Sequence, residues 1–451
     1  MTIDWFSPRE TVFVGRAPGR LDVMGGIADY SGALVLQLPL GRQTTVSVQR
    51  QPERRCDVRS HRGDGWAEFA IDIDELTTGP LSDPHALASW FAERRADRWA
   101  AYVVGVVQYC LQRATSAGGL RVSVESTVPE GKGVSSSAAL EVATMMATCA
   151  ANDITLDPRD VAIACQWVEN HVVGAPCGIM DQMASACGER DRLLRLRCQP
   201  GTIEGFSEIP RGYRFFGIDS GLRHAVTGAD YGTVRTAAFI GYRLIADAAG
   251  LTARRDGDRV VVDDPKWNGY LANIGPSEFE DRYRDLLPER VRGDDFLGRF
   301  GGITDTVTRV EPNRVYPVRN ATSHPIHEQA RVTRFAELLD ALSSDSALAT
   351  ELGQLMYASH ASYSACGLGS DGTDHLVDLV ASAGTDSGLF GAKITGGGSG
   401  GTVAILGVES AEPVIREIAE RYAAATGRTA EVFSESGPGA ARLGVEASQP
   451  L

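Results

Sequence analysis

Four segments of this 451-residue chain carry residue types that can handle a charged ligand. The most chemical is Glu169-Asn-His-Val-Val-Gly-Ala-Pro-Cys-Gly-Ile-Met-Asp181-Gln182. Glu169 falls near the end of an expected helix and Asp181 just past a forced turn. Two carboxylates so placed can divide the work, one on a metal ion and one as a base. Singly, each is more often a solvated or capping acid. The second segment is Pro129-Glu-Gly-Lys-Gly-Val-Ser-Ser-Ser-Ala-Ala139. Its glycines let backbone amides approach a phosphate, and the helix expected at the serines offers unpaired N–H groups at a positive dipole end. Lys132 adds a point charge, and the serine hydroxyls suit Mg²⁺ or phosphate. This is not a Walker A loop, because Gly133 follows the Gly-Lys pair. A serine-capped helix after a turn would look the same.

The third segment, Gly15 to Gly32, holds Arg20 and Asp29 in what reads as a Gly/Pro-rich turn and could place charges at a ligand; taken alone it fits better a tight loop in which those two charges pair. The fourth, Lys393-Ile-Thr-Gly-Gly-Gly-Ser-Gly-Gly401, meets the Gly-x-Gly-x-x-Gly spacing formally. It precedes a strand instead of joining a strand to a helix, so a dinucleotide reading fails and close backbone approach to a ligand fits better.

The elements that must position these residues alternate between strand and helix patterns. Strand-like runs fall at Thr11–Val14, Gln43–Gln49, Arg121–Val128, Phe215–Ile218, Thr402–Leu406 and 429–433, with an apolar run at Ala33–Leu40. Helical spacing appears within 84–113 and at 135–151, 159–173, 327–342, 347–363, 371–383 and 411–425. The polar stretch 252–314 reads as short helices and loops. The pattern predicts a mixed α+β protein with a boundary near 200–212.

Composition narrows the function. With 44 basic against 58 acidic residues the net charge is −14, which argues against general nucleic-acid or anionic-membrane binding. The longest strongly apolar stretch, Ala100–Leu111, is too short to span a bilayer. Met1–Glu10 lacks a signal pattern, so a cytoplasmic location is expected. The eight cysteines are scattered singly and are expected to be reduced thiols; the eight histidines form no metal cluster.

Taken together and in their order along the chain, the motifs resemble those of the GHMP kinase superfamily, most nearly its galactokinase and L-arabinokinase branch. Gly19-Arg-x-x-x-x-Gly25 with Asp29-Tyr-x-Gly32 resembles the galactokinase signature. Trp99-Ala-x-Tyr-Val-x-Gly105, Cys177-Gly-Ile-Met-Asp-Gln182, and Arg223-His224 with Tyr231 match as well. The resemblance implies a two-lobed fold: an N-terminal domain (1–205) with a left-handed βαβ unit and a ferredoxin-like C-terminal domain (206–451), with the active site between them. It implies Asp181 as the catalytic aspartate with Arg20 beside it to keep it ionised, and Ser137 and Glu169 as Mg²⁺ ligands. Arg20, Asp29, Gly178, Asp181 and Tyr231 would contact the sugar. Trp99, Gly131, Lys132, Gly133, Val134, Ser135, Ser136, Ser137, Ala138, Gly397 and Gly398 would hold ATP. The implied activity is an ATP-dependent sugar 1-kinase, with small molecules as its partners and a sequence compatible with a monomer. Galactokinases carry a glutamate–histidine pair, expected to hold the sugar's 6-hydroxyl, where this chain has Gly26-Ile27. That favours L-arabinose, with Ile27 as an apolar wall; D-galactose and a non-catalytic sugar and ATP sensor are the alternatives. A non-sugar acceptor such as mevalonate is disfavoured by Asp29-Tyr30 and Cys177–Gln182.

Overall fold

The computed structural model describes residues 5–63, 65–114, 118–223, 229–257, 259–342 and 346–449. The strands are β1 (Val12–Met24), β2 (Leu34–Gln51), β3 (Arg55–Arg62), β4 (Gly65–Asp72), β5 (Gly119–Ser126), β6 (Arg192–Arg197), β7 (Thr202–Glu208) and β8 (Tyr213–Asp219). Two short hairpins follow, β9 (Ala253–Asp256) with β10 (Arg259–Val262), and β11 (Val291–Arg292) with β12 (Val315–Tyr316). The last four are β13 (Leu389–Ile394), β14 (Thr402–Val408), β15 (Val432–Phe433) and β16 (Val445–Ser448). The helices are α1 (Ile73–Thr77), α2 (Pro84–Glu93), α3 (Ala101–Leu111), α4 (Ser136–Ala151), α5 (Pro158–Val168), α6 (Met180–Cys187) and α7 (Ala229–Ala248). After them come α8 (Pro276–Arg282), α9 (Gly293–Phe300), α10 (Val318–Ala341), α11 (Ser346–Ala365), α12 (Asp371–Ala383), α13 (Glu412–Thr426) and α14 (Ala440–Leu443).

Two sheets organise these elements. The first has eight strands in the order β16-β1-β2-β5-β3-β4, with β6 pairing the start of β2 and β7 pairing β6. All its pairs are antiparallel except β3 with β5. Strand β7 runs across the expected boundary at 205/206, and β16 brings the C-terminal end of the chain back to β1. The second sheet has the order β13-β14-β8-β15, antiparallel throughout. Numbered from β8, that order is 2-3-1-4, the split βαβ arrangement of ferredoxin-like folds. One core under the first sheet gathers Val46, Val48, Val122, Val104, Val107 and Met145 from β2, β5, α3 and α4. Another joins Leu21, Leu36 and Leu38 of β1 and β2 to Phe335, Leu352, Phe390 and Leu406, so the sheets share buried surface.

The expected turn at Gly15–Gly32 is wrong over most of its length. β1 runs to Met24, and only Gly26–Ser31 turns, as a 3₁₀ helix. The glycines are there for packing. A Cβ at Gly15 would meet the backbone of Ala143 in α4, and one at Gly19 would meet the Val134 carbonyl. Register shifts between Pro18 and Arg20 and between Asp22 and Met24 mark irregularities that re-aim the strand. Helix α10 begins nine residues before the expected 327, and the strand expected at 429–433 is only Val432–Phe433. The helix expected at 159–173 continues past Val168 as one π-helical turn, Glu169–Val173, ending at Gly174 in the left-handed region. The hairpins β3–β4 and β6–β7, helix α7 and strand β13 were not legible in the pattern. All eight cysteines are free thiols. Among the described residues no helix is long and apolar enough to cross a membrane.

Candidate active site

Arg20 sits on β1 just after the first irregularity, 2% exposed. Its Nε donates to Asp181 Oδ1 at 2.9 Å, Nη2 lies 2.7 Å from the same oxygen, and Nη1 donates to the Gly133 carbonyl at 2.7 Å. Arg20 therefore pairs with Asp181 and not with Asp29, the pairing the turn alone would have allowed. Asp181 is the second residue of α6, where a helix N-terminus favours a carboxylate.

Asp29 lies in the 3₁₀ turn, 4% exposed, and accepts a hydrogen bond from the Tyr30 amide at 2.6 Å. A Cβ at Gly178 would coincide with the Asp29 carboxylate, so glycine there is what lets the acid in. Burial, then the nearby Asp181 charge, pushes the Asp29 carboxyl up to about 7, opposed by Arg235. Arg20, Asp29, Gly178 and Asp181 line one cavity of about 200 Å³ together with Gly131, Gly133, Ser135–Ser137, Glu169, Tyr231 and Gly397. Tyr231 packs edge-on against Tyr30 with ring centres 5.9 Å apart.

Glu169 opens the π-helical turn, a geometry that recurs at functional sites. Burial, then Asp181, raises its carboxyl to about 7, against hydrogen bonds from Ser137, Cys177 and Gln182. Gln182 Nε2 donates to Glu169 Oε2 at 2.6 Å and to Glu141 Oε2 at 3.4 Å. Glu141 is fully buried one turn after Ser137 on α4, and its Oε1 has no hydrogen-bond partner. Ser137 and Glu169 offer a hydroxyl and a carboxylate side by side. That donor set fits Mg²⁺, which takes one or two protein oxygens and completes its shell with water and phosphate. Among the described residues no group of three or more His, Cys, Asp or Glu forms a cage for a metal ion.

The serine loop also fits a phosphate. Ser135 caps α4 in the left-handed region at φ 59°, with no side-chain cap, and its buried Oγ has no partner. The first N–H groups of α4, Ala138 included, are thus available to an anion. The side chains of Val134 and Ala138 are wholly buried, so only their backbone could serve. Lys132 departs from expectation: its ammonium lies 2.6 Å from Asp219 Oδ2 at the end of β8 and does not line the cavity. Gly397 lines the cavity, whereas Gly398 is packed against Leu368. Trp99 borders an adjoining chamber of about 300 Å³ that shares Tyr102, Gly131, Ser136 and Ser137 with the cavity. The guanidinium of Arg62 lies 5.2 Å from the Trp99 ring centre. Arg223 borders that chamber too, and His224 lies outside the described residues.

Ile27 does not form the expected apolar wall. It is 1% exposed in a core with Tyr30, Val234 and Tyr363 and does not line the cavity. A Cβ at Gly26 would run into the Tyr363 hydroxyl, which accepts from the Ile27 amide at 2.9 Å and donates to the Gly396 carbonyl at 3.0 Å.

Sequence reasoning missed several supports. Arg235 on α7 forms a two-pronged pair with Asp305, both contacts at 2.8 Å, and donates to the Cys177 carbonyl at 3.0 Å. It is the cation that opposes the buried Asp29. A wholly buried pair, Lys393 with Asp22 at 2.9 Å, ties β13 to β1. Glu141 alone had a readable signal, its four-residue spacing from Ser137 on one helix.

Comparison with known proteins agrees with this fold. The GHMP kinases' N-terminal domain matches residues 101–189, the GHMP kinases' C-terminal domain 344–424, and the galactokinase galactose-binding signature 6–50. An L-arabinokinase of Arabidopsis thaliana is 43% identical over 97% of this chain; the chain spans about half of that relative, 47% of its length. Galactokinase of Lactococcus lactis, solved with galactose, aligns with a TM-score of 0.71 at 20% identity, over 97% of this chain and 95% of that one. Mevalonate kinase of Methanococcus jannaschii aligns with a TM-score of 0.57 at 14% identity, over 94% and 97%. These structures share the α+β fold described above.

Proposed function

We propose that this chain, which belongs to the GHMP kinases through both of its domains, is an ATP-dependent sugar 1-kinase acting on L-arabinose. The observation that carries this reading is the single cavity in which the Arg20–Asp181 pair and the Asp29 carboxylate face the serine loop. Asp29 and Tyr231 hold the sugar's ring hydroxyls. Asp181 takes the proton of the anomeric hydroxyl as its oxygen bonds to the γ-phosphorus and the bond to the departing ADP breaks. Arg20 fixes Asp181 and, through the Gly133 carbonyl, its distance from the phosphates. The amides of the serine loop and α4 neutralise charge developing on the transferred group, the largest contribution in phosphoryl transfer. Ser137 and Glu169 would hold Mg²⁺, which supplies further charge neutralisation when bound. Trp99 and Tyr102 would border the nucleotide base.

L-Arabinose as acceptor rests on the 43% identical arabinokinase and on Gly26-Ile27. D-Galactose is the second reading, favoured by the galactose-binding signature matched at 6–50. In this reading the enzyme works in the cytoplasm on small molecules, with no nucleic acid or membrane as partner. Its domains divide between β7 and β8, with β16 returned to the first. The test is ADP release with Mg·ATP against a panel of pentoses and hexoses. Turnover with L-arabinose supports the reading; ATP and sugar binding with no ADP release would replace it with a sensor.

A further inference from the structure

A second cleft, of about 750 Å³, opens between α7, the 284–290 segment, the start of α10 and the end of α11. None of its lining residues belongs to the catalytic cavity or the chamber beside it. Three guanidinium groups border it, Arg284, Arg290 and Arg319, against one carboxylate, Glu289. The side chains lining the cleft thus carry more positive than negative charge, which suits an anion.

The arginines are set for different tasks. Arg319 is anchored, its Nε and Nη2 donating to the Leu287 carbonyl at 3.0 and 2.7 Å and its Nη1 lying 3.7 Å from Glu289 Oε1. Arg284 leans on Glu280 at 3.3 Å and on Asp285 at 3.9 Å. Arg290 forms no ion pair among the described residues. The first turn of α10 adds Pro317 and Asn320 to the wall; that 24-residue helix has no side-chain cap and no acidic residue in its first turn. Planar guanidinium groups beside uncapped helical N–H groups match the oxygens of a phosphate. The concave shape and the volume suit a small molecule.

We propose that this cleft binds a phosphorylated small molecule, a phosphate monoester of sugar size, at a site separate from the catalytic cavity. This gives the 284–290 segment of the polar 252–314 region, which supplies Arg284 and Arg290, a role apart from that of Asp305, the partner of Arg235.

The test is calorimetric titration of the full chain with a hexose 1-phosphate while L-arabinose and a non-hydrolysable ATP analogue fill the catalytic cavity. One saturable event is expected, weakened tenfold or more by Arg290→Glu and less by Arg284→Ala. Both side chains are exposed, so their melting temperatures should match the parent's; should Arg290→Glu misfold, Arg290→Gln takes its place. No saturable binding, equal affinity for the unphosphorylated hexose, or binding untouched by both substitutions would overturn the proposal. Loss of binding once the catalytic cavity is filled would overturn it too, by assigning the event to that cavity.

Discussion

Both contacts from Arg20 to Asp181 fall on one carboxylate oxygen, Oδ1, at 2.9 Å from Nε and 2.7 Å from Nη2. The third guanidinium nitrogen holds the Gly133 carbonyl at 2.7 Å. One nearly buried side chain thus fixes the candidate base and the serine loop relative to each other, and leaves Oδ2 to accept a proton.

Asp181→Asn keeps an oxygen for Arg20 and removes the proton acceptor. The expected result is a kcat lower by ~10²–10⁴ with the fold and ATP affinity retained. Circular dichroism and nucleotide titration check the second half. Near-normal turnover in a folded variant would remove Asp181 from the chemistry.

Gly178→Ala asks for the space that the Asp29 carboxylate occupies. Displacing that acid loses charge-assisted hydrogen bonds to the sugar, worth roughly 1.5–3 kcal/mol, or about ten- to 150-fold in sugar affinity. ATP affinity should hold. A sugar KM unchanged by the methyl group would show that Asp29 does not bind the sugar.

Glu169→Gln leaves a neutral acceptor in the same place beside Ser137. The Mg²⁺ concentration needed for half-maximal rate should rise about tenfold or more, with sugar affinity little altered. Direct titration of Mg²⁺ in the presence of the nucleotide provides a readout apart from turnover. An unaltered Mg²⁺ dependence would rule Glu169 out as a ligand.

What could be read from the chain was what its motifs hold contiguously. Arg20, Asp29, Ser135–Ser137, Glu169, Gly178 and Asp181 each sit in a short segment rich in glycine or serine, and the fold gathers them around one cavity. Arg235 and Asp305 stand 70 residues apart, one on an ordinary helix and one in a polar loop. Nothing local announces such a pair, and the same holds for Lys132 with Asp219. Gly15, Pro18 and Gly19 misled in the opposite direction. Such residues usually punctuate a chain, but in β1 the two glycines make room for α4 and for the loop before it. The hairpin β6–β7 escaped notice because its first strand, Arg-Leu-Leu-Arg-Leu-Arg, buries leucines without a clean alternation.

Stability should depend on pH through Asp29. Its carboxyl is raised to about 7 in the folded protein, against about 3.9 in an unfolded chain. The folded state therefore holds a proton that the unfolded state releases across that window. The stabilising contribution is complete below pH ~4, declines as the pH rises, and is lost above about 7, a change on the order of 4 kcal/mol. Melting of the ligand-free protein should fall from pH 5 to pH 8, and Asp29→Asn should flatten the slope. An identical slope in that variant would contradict the assignment.

The preferred sugar turns on what faces the position of a 6-hydroxyl. Where galactokinases carry a glutamate–histidine pair, this chain places Gly26, whose missing Cβ makes room for the Tyr363 hydroxyl, and Ile27, which is sealed in a core. Tyr363 cannot substitute as a partner, since it is wholly buried and does not line the cavity. L-Arabinopyranose has the ring stereochemistry of D-galactopyranose without the hydroxymethyl group, so it asks for no partner at this point. D-Galactose would bury a hydroxyl lacking its hydrogen bonds, at a cost of about 1–3 kcal/mol, or roughly five- to 150-fold in kcat/KM. Grafting glutamate and histidine at 26 and 27 should not restore galactose use while Tyr363 stays, because the glutamate Cβ and the tyrosine hydroxyl compete for one place. Measuring kcat/KM for both sugars decides the matter, and a preference for D-galactose in the parent enzyme would mean that another part of the cavity holds the 6-hydroxyl.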